Sequence, residues 1–489
     1  MAITQDVEAL KAKYLCFRCI GEAYLRAEMQ REGRRQRCSY CDRTAKSYKI
    51  GELSERIEQV FEEHFVRTSD QPNSWQQTML SDRESSYDWE RDGEPVVQAI
   101  ANAADMPEEA AEDIQAILNE EHGDFDAAAM GEETEFSGDS YYEERGTSDR
   151  AWQEEWGEFE RALKTEARFF SRTAADHLAS IFAGIEAMSA RDGRPLVINA
   201  GPGTDLTAFY RARAFQSDSR LVDALCRPDQ HLGSPPSGIA GSGRMNARGI
   251  SVFYGASEQR VAIAEVRPPV GSQVAVARFE ITRALRLLDL TALSDLAEGG
   301  SVFDPGLGPR MERAMFLRSL SQRITRPVMP DDEAFEYLPT QAIADFLATQ
   351  NEPQLDGIVF PSVQAAGDVL NVVLFHKAAR IEAIELPEGT EIEARTGQLY
   401  EEGWEAEYVV IERVPPVEEP EPTSTEDRGW ADFSALARLP VVGADSDYRE
   451  PALRINLESV CVHQVRRVEF ETIEFNVRRH RWEKRDLDF

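Results

Sequence analysis

The 489-residue chain contains no run of about eighteen apolar residues, and its first nineteen residues carry Asp6, Glu8, Lys11 and Lys13 with no apolar core. A bilayer span needs the first and a secretory leader the second, so a cytoplasmic protein with no membrane partner is expected. There is no G-x4-G-K-[ST], and Gly241-Ser242-Gly243 is too short for a dinucleotide fingerprint, so neither a P-loop nor a Rossmann site is expected. Cysteine is scarce: outside an N-terminal group of four, only Cys226 and Cys461 remain. That excludes a disulfide framework and favours a reducing compartment. Positive charge is short too, with 54 Lys and Arg against 88 Asp and Glu and a formal charge of −34. Such a field repels nucleic acid and anionic membrane over long range, so a general nucleic-acid-binding role is disfavoured.

What is there begins with Cys16, Cys19, Cys38 and Cys41, spaced C-x2-C-x18-C-x2-C. Two short knuckles that each deliver a pair of thiolates suit tetrahedral zinc, with a disulfide pair as the competing reading. A site whose four positions are all filled by protein has none open for substrate, so the zinc is expected to be structural. Residues 1–50 are read as this knuckle.

A helical module is expected over 51–190. Leu53, Ile57, Val60, Phe61 and Phe65 recur at helical spacing, and Val96, Val97, Ile100, Ile114, Ile117 and Leu118 suggest a helical pair broken at Met106-Pro107. From 120 to 150 the text is acidic and small, and reads as an exposed linker. A long helix is then expected from about Ser148 to Met188, with Trp156, Phe159, Leu163, Phe170, Leu178, Ile181 and Ile185 on one face. Residues 191–414 change to short β-rich runs interrupted by amphipathic helices, the pattern of an α+β domain. The Pro-rich acidic stretch 415–432 reads as a linker, and 433–489 as a C-terminal β-rich extension.

Within the α+β region, Tyr210-Arg211-Ala212-Arg213 ends an apolar stretch and Gly243-Arg244-Met245-Asn246 follows a Gly/Ser/Pro loop. Ser251 to Tyr254 leads into a helix carrying Glu265, and Phe360-Pro361-Ser362 closes a β run. A carboxylate on a helix beside an apolar strand, with arginines delivered nearby, suits an anionic small molecule.

Residues of about 205 to 380 resemble the RES domain, a bacterial toxin family named for its Arg, Glu and Ser. Four blocks carry the resemblance in the family's order: FYRAR at 209–213, GRMNARGISVFYGASEQRVAIAEVRP at 243–268, YLPTQAIADFL at 337–347 and GIVFPSVQAAGDVLNVVLF at 357–375. The family's named residues fall on Arg211, Glu265 and Ser362, with its tyrosine on Tyr254 and Arg213 as an alternative for the first arginine. The resemblance implies a fold akin to ADP-ribosyltransferases and an enzyme that degrades NAD+, a glycohydrolase or phosphorylase. It also implies an Xre-type antitoxin as partner, with self-inhibition as the other form of restraint.

The chemistry gives those residues roles. Breaking the nicotinamide–ribose bond leaves an oxocarbenium-like ribose that a carboxylate, Glu265, can stabilise. Arg211 is expected to grip the pyrophosphate, helped by Arg244, and Tyr254 to offer a face for nicotinamide. Ser362 is expected to orient substrate or carboxylate and not to attack, because no base is placed to activate it. A second reading transfers ADP-ribose to a macromolecule. A third rests on similarity of residues 1–190 to the HEPN-like domain that precedes some RES domains: Arg172 and His177 read R-x4-H, and a homodimer of such motifs would be a ribonuclease with a nucleotide-sensing RES-like domain.

Overall fold

A computed structural model describes residues 6–82, 85–124, 130, 132–168, 170–362, 364, 367, 369–401, 403–416, 447–469 and 471–481. The chain divides into two units. One comprises Met1–Arg161, Ser189–Arg194 and Leu293–Arg323, the other Ala162–Met188, Pro195–Ala292 and Ile324–Phe489. Among the described residues no helix is long and apolar enough to cross a membrane.

The first unit opens with a three-stranded antiparallel sheet in which Thr44–Lys49 lies between Tyr14–Cys16 and Arg34–Arg37. The helix Ile50–His64 follows directly. It buries Ile50, Leu53, Ile57, Val60 and Phe61 at three- and four-residue spacing, and Glu52 closes its first turn by accepting from the Lys49 N–H at 3.0 Å. Helices Val96–Ala104 and Glu108–Glu121 part where Asp105 adopts a left-handed conformation (φ 46°) before Met106-Pro107.

Two expectations give way here. The acidic stretch 120–150 is not an open linker throughout, because Tyr141–Glu144 pairs with both Phe65–Arg67 and Glu94–Pro95. Phe136 and Tyr142 are buried, with ring centroids 5.6 and 5.0 Å from that of Phe61. Two aromatic rings bury enough apolar surface to fix a segment whose other residues are mostly charged or small. Residues 125–129 and 131 lie outside the described residues. The long helix of 148–188 is two, Arg150–Thr165 and Arg172–Phe182. The Ser171 hydroxyl accepts from the Ala174 N–H at 3.2 Å and starts a new helix, which resets the phase and leaves Phe170 97% exposed.

The second unit is built on an eight-stranded mixed sheet. Its strands run in the order Leu453–Gln464, Gln273–Ile281, Ala208–Phe215, Phe253–Ala256, Leu370–Leu374, Gly357–Pro361, Leu285–Asp289 and Val197–Ala200. All neighbours are antiparallel except Leu285–Asp289 with Gly357–Pro361. One face buries Phe209, Phe215, Phe253, Ala277 and Phe279. The other buries Ala212, Val274 and Val276 under Val261 and Ala262 of the helix Gln259–Glu265. This is the α+β architecture expected of 191–414, but it extends further. Leu453–Gln464 pairs along Gln273–Ile281 and so forms the sheet's edge strand, in the segment that the sequence sets apart as an extension. Its alternating pattern needs a partner to satisfy the backbone, and the 273–281 strand has a free edge for it. Residues 417–446, most of the Pro-rich linker among them, lie outside the described residues.

One irregularity positions the site. Strand 208–215 pairs with 273–281 at eight successive positions, from Gln273↔Phe215 to Glu280↔Ala208, but with 253–256 only at Tyr210↔Ala256. The two strands splay apart there, and the sheet opens.

Candidate functional site

Arg211 sits at the split. Where strand pairing would supply a backbone N–H, its Nη1 donates instead to the carbonyl of Tyr254 at 2.6 Å, and the guanidinium lies 5.4 Å from the Phe253 ring centroid. Protein surrounds the group on nearly all sides, yet part of its surface stays open to a cavity. No carboxylate pairs with it among the described residues. Desolvation, with repulsion from Arg213, pulls its pKa down to about 10, the mark of a cation held in place without a counter-ion.

Tyr254 is committed at its hydroxyl, which donates to Asn246 Oδ1 at 2.8 Å and accepts from the Met245 N–H at 3.1 Å. Burial pushes its pKa up to about 12, so the phenol stays neutral and only the ring is free to meet a ligand. Asn246 in turn donates to the carbonyls of Gly241 and Ile250 at 2.8 and 3.0 Å, pinning the 241–250 loop. Gly243 is required there: a Cβ would stand 2.6 Å from the Tyr254 hydroxyl.

Glu265 ends its helix with an exposed side chain whose Oε1 accepts from Ser362 Oγ at 2.7 Å and from Asn371 Nδ2 at 2.6 Å. Two donors on one oxygen fix the plane of the carboxylate. Oε2 accepts nothing among the described residues and is left for a ligand. Ser362 follows strand 357–361, and Asn371 lies on strand 370–374, opposite Ala256.

Tyr210, Arg211, Tyr254, Glu265, Phe360 and Asn371 line one cavity of about 230 Å³. The structure thus brings together Arg211, Tyr254 and Glu265, with Ser362 on the carboxylate. It does not bring Arg213 or Arg244. Two residues along a strand amount to about 6.6 Å, and Arg213 reaches out to the His231 carbonyl at 2.7 Å. Arg244 donates to the Ile324 carbonyl at 2.7 Å, its guanidinium 5.1 Å from the Tyr337 ring centroid.

Three lining residues carry no role in the sequence reading: Tyr210, Phe360 and Asn371. The signal for Asn371 is an amide within the otherwise apolar strand Leu370–Leu374, where a polar group needs partners. It is 5% exposed, and its Oδ1 has no hydrogen-bond partner among the described residues.

The four N-terminal cysteines converge as well. Their sulfurs all lie within 4.8 Å of one another, with Sγ···Sγ separations of 3.7 Å for Cys16–Cys19, 3.5 Å for Cys16–Cys41 and 3.9 Å for Cys19–Cys38. A tetrahedron of thiolates about 2.3 Å from a central ion has edges of about 3.8 Å, so the sulfurs are set for one metal ion. Burial raises the Cys16 and Cys19 thiols, and a metal would reverse that effect. Tyr40, between the second pair, donates to Asp113 at 2.5 Å, as does Lys13, which ties the knuckle to the helix Glu108–Glu121.

Arg172 and His177 both lie on the helix Arg172–Phe182, Arg172 exposed and His177 half-buried. Five positions turn a helix by about 140°, so the two do not share a face.

In comparisons with known proteins, residues 209–395 match the family model of the RES domain, which is less than half of the chain. No curated protein and no solved structure matches it.

Proposed function

We propose, on the match of residues 209–395 to the RES-domain family model, that this chain is an NAD+-degrading toxin that cleaves the nicotinamide–ribose bond. The observation that carries the proposal is the single cavity in which an unpaired buried arginine, an aromatic ring and a carboxylate with one free oxygen face the same space. At about 230 Å³ it is smaller than the ~300–1,000 Å³ of sites that enclose whole drug-sized ligands, which suits one end of a dinucleotide.

In this reading the remaining N–H groups of Arg211 hold the pyrophosphate, and nicotinamide rests among the rings of Tyr210, Tyr254 and Phe360. Glu265 Oε2 lies beneath the anomeric carbon. As the C–N bond lengthens, its electron pair passes to the pyridinium nitrogen, neutral nicotinamide leaves, and positive charge grows on the ribose opposite the carboxylate. Water then bonds to the anomeric carbon and loses a proton, or phosphate adds in its place. Ser362 donates its hydroxyl hydrogen to Glu265, which supports an orienting role over attack. The sheet that carries this site is consistent with an ADP-ribosyltransferase-like fold. The metal of the N-terminal knuckle is read as structural zinc, since the four sulfurs leave no open position. An Xre-type antitoxin that covers the cavity would hold the enzyme in check.

The test is chromatographic. Purified protein given NAD+ should release nicotinamide with free ADP-ribose or its 1″-phosphate, and Glu265→Gln should lower turnover by about 10²–10³-fold while unfolding like wild type. Intact NAD+ with the wild type, or full turnover by the variant, refutes the proposal; label on protein or RNA would redirect it to ADP-ribose transfer.

A further inference from the structure

The chain's charge is unevenly distributed. Between Lys11 and Lys49 there are eleven Lys and Arg against four Asp and Glu, a local charge of +7 in a protein whose total is −34. All four acids are engaged. Glu22 caps the helix Ala23–Glu32 by accepting from the N–H groups of Tyr24 and Leu25, and Glu28 pairs with Arg56 at 3.1 Å. Glu32 pairs with Arg31 at 2.7 Å and Asp42 with Arg37 at 2.8 Å. Arg18, Arg34, Arg35, Arg43, Lys46 and Lys49 are all exposed and have no acidic partner among the described residues.

The sheet orders these charges. Every residue of strand Arg34–Arg37 is exposed, and its register with Thr44–Lys49 sets Arg35 directly opposite Lys46. Like charges directly opposite across a ladder repel, and here no carboxylate relieves them. Arg37, two residues on, shares their face. The strand carries no apolar residue, whereas a protein partner would want an apolar or aromatic centre to pack against. Closely spaced guanidinium groups suit the repeating oxygens of phosphodiesters.

We propose that the cysteine-knuckle sheet binds the phosphate backbone of nucleic acid, through Arg35, Arg37 and Lys46, without reading sequence. The net charge disfavours nucleic acid only at long range. At about 0.15 M salt the screening length is about 8 Å, so a phosphate against this face is governed by the local cations and not by distant carboxylates.

The experiment is fluorescence anisotropy on the full chain with a fluorescein-labelled mixed-sequence oligonucleotide, single-stranded and as a duplex, from about 50 to 200 mM salt. Wild type should bind at the low end, with log affinity falling against log salt at a slope of about −2 to −3, for three to four phosphate contacts. The triple variant Arg35→Gln/Arg37→Gln/Lys46→Gln should bind at least about tenfold more weakly, with a slope shallower by about 2. Metal content and unfolding temperature serve as folding controls, and Arg395→Gln, on the strand Glu391–Arg395 of the other unit, should bind like wild type. Absence of binding at about 50 mM salt, undiminished binding by the triple variant, or equal competition from polyglutamate each overturns the proposal, the last in favour of acidic protein as partner.

Discussion

Replacing Arg211 by methionine separates a residue kept for function from one kept for stability. Lowering a guanidinium pKa from its ordinary value to about 10 corresponds to about 3 kcal/mol of unfavourable burial. Against it stand one charge-assisted hydrogen bond to the Tyr254 carbonyl, worth about 1.5–3 kcal/mol, and the contact with Phe253, worth about 0.5–1 kcal/mol. The terms nearly cancel. Arg211→Met should therefore shift stability by less than about 1 kcal/mol in either direction, while the site loses a cation that has no counter-ion among the described residues. Thermal unfolding with and without ADP-ribose reads both effects. At a hundredfold excess over Kd the ligand should stabilise wild type by about 2.7 kcal/mol and leave the variant unmoved. The pH dependence has a fixed sign. The unfolded chain holds the Arg211 proton more tightly than the folded one, so wild-type stability should rise relative to the variant as pH climbs above about 10, while ADP-ribose affinity falls. A variant destabilised by more than about 3 kcal/mol, or one still stabilised by ADP-ribose, would refute the reasoning.

Ser362→Ala removes one of two donors on Glu265 and should cost about tenfold in turnover, with nicotinamide release persisting; complete loss would point to a nucleophilic serine. Asn371→Ala, at the other donor, should slow turnover more than it raises KM, and an effect on KM alone would count against a link to the carboxylate. Metal analysis should find about one zinc per chain, and Cys38→Ser should abolish it and lower the helical far-UV dichroism of the full chain; a variant that keeps its metal would refute the assignment. Gly243→Ala forces a methyl against the Tyr254 hydroxyl and should cost about 1–3 kcal/mol by denaturant unfolding; a neutral result would mean that the 241–250 loop yields freely.

Much of the site was readable because its residues sit in short blocks whose local structure is decided locally. The helix ending at Glu265 and the strand bearing Arg211 follow from nearby apolar spacing, and four blocks in one order carry the resemblance to the RES domain. Asn371 was not readable. Its role depends on strand 370–374 pairing with 253–256, more than a hundred residues upstream, which no local pattern specifies. Arg244 illustrates the converse: its block is recognisable, but its side chain turns to the Ile324 carbonyl, a partner about eighty residues downstream. In the acidic stretch, composition outweighed two aromatics. Phe136 and Tyr142 found Phe61, and burial of three rings decided the local structure over the charges around them.

The edge strand Leu453–Gln464 is made about 170 residues after the strand it completes. At about 5–20 residues per second, a ribosome would present Gln273–Ile281 for roughly 10–30 s before its last neighbour existed. An enzyme proposed to consume a metabolite on which its own translating cell depends would in this way complete its central sheet only once the strand 453–464 has been made.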